Sequence, residues 1–155
     1  MTFWDHNMKV AFYKGKENWI GKLIRWWTKS PYSHCEMVLK INANRTHRMA
    51  TSWIGVGITT RDRLINIHDW DFVDVPTTKQ QDIDIVEWFN KRDGQGYDYM
   101  GILGFVIRRK IHTKHRWFCS EACAESLHSV GAIPAVKSWK ESPGSLFDRL
   151  VKGNE

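Results

Sequence analysis

Cys119 and His34 are the residues whose types and settings most directly suggest chemistry. Cys119 falls where an irregular stretch ending at Phe118 meets a segment with helical patterning. The free N–H groups and dipole of a helix N-terminus stabilise an anion. A thiol placed there ionises more readily, and the thiolate is the reactive form. A nucleophilic cysteine also needs a base within hydrogen-bond reach, and the same N–H groups can hold a developing oxyanion. His34 fits the base. It opens a segment of strict alternation in which Cys35, Met37, Leu39 and Ile41 face one way and His34, Glu36, Val38 and Lys40 the other. A strand fixes the direction of its side chains, as general-base catalysis requires. The two residues are distant in the chain, so the fold must bring them together. Taken singly, a cysteine at a helix start is more often a small buried apolar residue, and a strand histidine is more often structural.

Two rival groupings surround Cys119. His112, His115, Cys119 and Cys123 form a four-ligand set of zinc type, but the tight C-x-x-C turn usual for zinc is missing. Cys123 is then expected to pack inward beside Leu127. Arg108, Arg109, Lys110, Lys114, His115 and Arg116 cluster next to Trp117 and Phe118. Charge interleaved with aromatics suits single-stranded nucleic acid. It also suits steering an anionic substrate toward Cys119. No nucleic-acid motif accompanies the cluster, and a solvated basic loop over residues 108–116 is the plainest reading.

The elements that must position these residues read as follows. A short strand over 9–13 puts Val10 and Phe12 on one face. A helix over 17–28 carries Trp19, Ile20, Leu23, Ile24 and Trp27 as one apolar stripe, with Lys16, Lys22, Arg25 and Lys29 around the rest. Such a helix is either an amphipathic element of the core or one that lies on a membrane surface. Ser30-Pro31 ends it. The His34 strand over 34–41 and a second over 46–53 form a hairpin around Asn42-Ala43-Asn44. Gly55-Val56-Gly57 allows a tight bend, and residues 58–60 and 72–75 extend the sheet. Thr78 with Gln81 makes a capping box for a helix reaching about Arg92 that buries Ile85, Trp88 and Phe89. A second apolar helix spans 99–108. The Cys119 helix runs to Val130, where Gly131 stops it, and Ser142-Pro143 starts a last short helix. Strands early and helices late make an α+β domain.

At 155 residues the chain suits a single domain spanning 1–155. Its 42% hydrophobic residues set it apart from disordered chains. Twenty-three Lys and Arg against 17 Asp and Glu give a net charge of +6, which favours anionic partners. Nine tryptophans point to an aromatic-lined site, a heavily packed core, or both. No window matches a membrane span or a secretory signal. Three cysteines, an odd count, fit free thiols in a reducing cytoplasm. A cytoplasmic location is therefore expected.

Tyr32-Ser33-His34-Cys35-Glu36 and Trp117-Phe118-Cys119-Ser120-Glu121 together resemble the circularly permuted branch of the NlpC-type papain-like hydrolases, in which the His strand precedes the Cys helix. The lecithin:retinol acyltransferase group belongs to the same wider superfamily. Tyr97-Asp98-Tyr99-Met100-Gly101, the Gly55-Val56-Gly57 bend and Ser142-Pro143-Gly144-Ser145-Leu146 are similar to phage-encoded and bacterial members. The resemblance covers nearly the whole chain. It implies a papain-like α+β fold with the nucleophile helix packed on an antiparallel sheet. It also implies Cys119 as nucleophile, His34 as base and acid, and cleavage or transfer at an amide, peptide, ester or thioester bond through an acyl-enzyme. No metal or organic cofactor is implied. Cell-wall peptides, lipid amides, acyl chains and protein conjugates are all compatible substrates.

The third catalytic member is where this chain departs from the family. Many relatives carry a polar residue, often Glu or His, where Met49 stands here. Thr51 and His47 share Met49's face, Ser52 falls on the other, and Glu36 lies beside His34. Thr51 is favoured as orienting residue, with Glu36 and His47 close behind. Tyr32, Trp117 and Ser120 are expected to line the substrate site, Tyr32 also as a donor to the oxyanion. The alternative is a non-catalytic module of this fold that binds nucleic acid or a protein through the 108–116 surface.

Overall fold

Alternation of apolar and polar side chains is what lets one face of a sheet be buried under helices. Five segments, β1 (Asn7–Tyr13), β2 (His34–Ile41), β3 (His47–Trp53), β4 (Gly57–Arg63) and β5 (Trp70–Pro76), form an antiparallel sheet in the spatial order β4-β3-β2-β1-β5. The computed structural model describes residues 7–16, 18–97 and 116–154. Its α-helices among these residues are α1 (Trp19–Thr28), α2 (Lys79–Asn90), α3 (Cys119–Ser129) and α4 (Pro143–Gly153). A two-residue parallel ladder joins β6 (Gly96–Tyr97) to β7 (Arg116–Trp117). The architecture is α+β. The helix expected over 99–108 and the basic segment up to His115 lie outside the described residues.

The main core lies on one side of the sheet. Val10, Phe12, Cys35, Met37 and Ala50 pack there with Ile85 and Phe89 of α2, Ala122, Cys123 and Leu127 of α3, and Leu146 of α4. A smaller cluster of Ala11, Val38, Met49 and Trp70 covers the opposite face. β1 and β2 pair from Lys9 with Val38 to Tyr13 with His34, so His34 sits at the end of its strand. The β2–β3 register shifts between Val38 and Lys40; Leu39 still packs, half-buried, on the core that holds Cys35 and Met37, whereas Ile41 at the strand end is exposed.

Local signals place the helix starts. Asn18 caps α1, its side chain accepting from Gly21 N at 3.0 Å. The Thr78–Gln81 box is complete, at 2.8 and 3.2 Å. Ser142 caps α4, with Pro143 at its first position. The apolar stripe expected on α1 is only partly used: Ile24 is buried and Ile20 and Trp27 are half-buried, whereas Trp19 and Leu23 are exposed, as is Trp26 outside the stripe. Gly57 has φ +86°, and a Cβ there would stand 1.9 Å from Gln95 O, so only glycine fits the turn between β3 and β4.

Candidate active site

Cys119 is the first residue of α3, after Phe118 in extended conformation. Helix geometry leaves the N–H groups of this first turn without intrahelical acceptors. One donor is accounted for by the Glu121 carboxylate, which accepts from Phe118 N at 3.4 Å. His34 is the first residue of β2. Because both residues are terminal, the imidazole meets the sulfur at the end of the sheet rather than through it. The two are hydrogen-bonded.

The electrostatics favour an ion pair. Burial opposes charge on both groups and is the largest single influence on each. On Cys119 it is outweighed by hydrogen bonding from the Cys35 thiol, the charge and hydrogen bond of His34, and the Cys35 backbone N–H, so the thiol is held well below its usual range. On His34 the Cys119 thiolate, followed by the Glu36 hydrogen bond and charge, pushes the imidazole up to about 10. Cys35 goes the other way: burial and its neighbours Cys119 and Cys123 keep its thiol neutral, as a hydrogen-bond donor needs to be.

Glu36 stands on the far side of the imidazole. Its Oε1 lies 3.1 Å from His34 Nε2. That leaves Nδ1 as the ring nitrogen for the sulfur. The same Oε1 accepts from Arg63 Nη2, while Oε2 has no partner among the described residues. The Arg63 guanidinium lies over the Trp53 ring at 5.0 Å and near the Trp70 ring at 5.8 Å. Trp53 also packs on His34, with ring centroids 4.7 Å apart.

The other expected site residues are engaged elsewhere. Thr51 is fully buried and donates from Oγ1 to Cys35 O at 2.7 Å, so it fixes the strand and not the imidazole. His47 pairs with Ile41, at the opposite end of β2 from His34. Ser52 donates to Trp117 O at 2.6 Å. The Tyr32 ring packs on Phe12 and Phe147, and its hydroxyl donates to Asp71 Oδ2 at 2.6 Å. The buried Ser120 hydroxyl donates to Glu141 O at 2.5 Å. Trp117 donates from Nε1 to Gln95 Oε1 at 2.7 Å and packs edge-on against Trp88. Of the proposed zinc ligands, Cys119 and Cys123 belong to the core of α3, and His112 and His115 lie outside the described residues. Arg116 is the one member of the basic segment that is described, and it is exposed.

A cavity of about 600 Å³ opens beside His34. Trp53, Trp70 and Tyr13 supply aromatic walls, α1 contributes Ile20 and Ile24, and Lys16 and Arg63 bring positive charge. The cavity meets the couple through Ser33 and His34; Cys119 itself is 1% exposed. Sequence reasoning missed three participants. The donor role of Cys35 had a visible signal, since it adjoins His34 and faces the cysteine helix. Arg63 and Trp53 had none, because strand register alone brings them to the imidazole.

No family model and no curated protein matches the chain. Among the described residues, no helix is long and apolar enough to cross a membrane.

Proposed function

We propose that this chain is a cysteine hydrolase of the circularly permuted papain-like kind, acting on an amide, peptide, ester or thioester bond. The observation that carries the reading is the hydrogen-bonded Cys119–His34 couple at the start of α3, with Glu36 on the other side of the ring. The thiolate adds to the substrate carbonyl carbon, and the oxyanion forms beside the first-turn N–H groups of α3. His34 gives its proton to the leaving group as the substrate's C–N, C–O or C–S bond breaks, which leaves a thioester on Cys119. Water then attacks the thioester carbon, losing its proton to the neutral His34, and the bond to the Cys119 sulfur breaks, which releases the acid product and restores the thiolate beside protonated His34. Glu36 holds the ring and stabilises its cationic form, the part that a third catalytic member plays. The burial of Cys119 adds a requirement: the sulfur must be uncovered from the cavity side before acylation. The aromatic and cationic walls favour an acyl donor with an apolar portion and an anionic group.

Thiol alkylation at neutral pH, read by mass and peptide mapping, tests the reading. Cys119 labels faster than Cys35 and Cys123, small reagents outpace bulky ones, and His34→Ala slows the reaction. A reactive ester leaves its acyl group on Cys119. Equal rates at all three thiols, with no acyl adduct, would remove the enzymatic reading. A salt-sensitive gel shift would then support the non-catalytic module, which the burial of Cys119 also favours.

A further inference from the structure

On α1 the positions at i, i+3, i+4 and i+7 share one face. Trp19, Lys22, Leu23 and Trp26 hold these positions, and Trp19 and Trp26 are 73% and 70% exposed. The inner side of the same helix, at Ile20, Gly21 and Ile24, walls the cavity beside His34. Across the cavity, Leu64 is 75% exposed and Ile54 is also at the surface, although both line the opening. Two bulky indoles on the outer face of α1 thus stand in water, and two aliphatic side chains do so at the cavity. Folding alone does not account for this, since the rest of the apolar side of α1 is packed.

A second hollow lies alongside. It measures about 560 Å³ and is lined by Lys14, Gly15, Lys16, Lys22, Arg25 and Asp69. It shares Lys16 and Asp69 with the larger cavity, so the two adjoin. Lys14 is balanced by Asp71 at 2.6 Å, whereas Lys16 and Lys22 have no carboxylate partner among the described residues. Lys29, exposed at the end of α1, extends the positive flank.

We infer that this face docks on an anionic membrane surface, with Trp19, Leu23 and Trp26 entering the interface and Lys16 and Lys22 of the adjoining hollow meeting lipid phosphates. The chemistry is that of an interfacial helix: indoles and leucine on one side, lysines flanking them, and charge complementary to anionic headgroups. An acidic protein would satisfy the lysines but not the apolar ridge, and a second copy of this chain would set like charges against each other. The docking does not rest on the proposed hydrolase activity.

The test is co-sedimentation of the full chain with vesicles of phosphatidylcholine alone and of phosphatidylcholine with an equal part of phosphatidylglycerol. Partitioning onto the anionic vesicles is expected to exceed that onto neutral ones by roughly tenfold or more, and to fall as salt is raised. The pair Trp19→Ser and Trp26→Ser lowers it by roughly tenfold, and Lys22→Glu does the same. These side chains are exposed, so the variants keep the wild-type melting curve. Cys119→Ala binds vesicles as the wild type does, so failure of the docking and failure of the hydrolase reading are separable. Equal partitioning onto both vesicles, or binding indifferent to the tryptophan pair, overturns the inference. So does self-association of the chain through α1 in sedimentation velocity without vesicle binding.

Discussion

Glu36→Gln separates the roles of the residues around His34. The replacement keeps the shape of the side chain and removes its charge. At 3.1 Å and an effective dielectric of about 20, the gross attraction between carboxylate and imidazolium is about 5 kcal/mol. Desolvation of both groups and the competing claim of Arg63 on the same oxygen reduce this. A hydrogen bond to a charged partner has a net worth of about 1.5–3 kcal/mol. One pH unit corresponds to about 1.4 kcal/mol, so the His34 titration, at about 10 in the native chain, moves down by about one to two pH units. It stays above the ordinary histidine value, because the Cys119 thiolate is the larger of the raising influences. The sign is fixed: removing a partner of the cationic ring weakens that form, so the proton leaves at lower pH. Proton–nitrogen correlation NMR of the imidazoles reads the midpoint, with His34 assigned by the resonance lost in His34→Gln. Thr51→Val is the control. Its hydroxyl serves Cys35 O, so the variant loses about 1–2 kcal/mol of stability and leaves the His34 midpoint unchanged. A midpoint that moves in Thr51→Val and stays fixed in Glu36→Gln would refute the assignment of Glu36 as the orienting group.

Two further outcomes follow from neighbouring contacts. Cys35→Ala removes the thiol that donates to the Cys119 sulfur, an interaction of about 1.5 kcal/mol. The acid limb of the thiolate's ultraviolet absorbance, taken as the difference from Cys119→Ala, moves to higher pH; an unmoved limb would show that the Cys35 thiol contributes nothing. Gly57→Ala places a Cβ against Gln95 O at a left-handed φ and should cost at least about 3 kcal/mol, a melting temperature lower by about 10 °C. A variant that melts as the native chain does would show that the β3–β4 turn relaxes freely.

The legible parts of this chain were those with local causes. Alternation marked β2 and put Cys35 and His34 on opposite faces, and the side-chain caps at Thr78 and Ser142 marked where α2 and α4 begin. What escaped depended on register and on the width of packing partners. His47, Met49 and Thr51 share one parity, so alternation offered all three as neighbours of His34. Pairing then sent His47 to the far end of β2 and committed Thr51 to Cys35 O. Tyr32 is adjacent in sequence but turns its ring between Phe12 and Phe147. On α1, periodicity marked an apolar stripe but carried no information on how much of it finds a partner. Trp26 fell outside the expected stripe and is exposed beside Trp19.

The arrangement around Cys119 also accounts for an ion pair being favoured at so buried a site. Removing two charges from solvent is repaid only when further hydrogen bonds and countercharges satisfy them. Here the strand supplies both from consecutive residues. Because successive side chains point to opposite faces, β2 gives the sulfur the imidazole of His34 from one side and the thiol and N–H of Cys35 from the other. The imidazole is backed by Glu36, Glu36 by Arg63, and Arg63 by the faces of Trp53 and Trp70. Charge alternates along this line from the sulfur to the guanidinium and sums to nothing, so each group is held by the opposite charge of its neighbours. The line ends in the cavity wall, to which Arg63 and His34 both contribute. An anionic group bound there would draw Arg63 away from Glu36 and strengthen the hold of Glu36 on the imidazolium. Occupancy of the cavity would thereby tune the proton affinity of His34 without touching the sulfur.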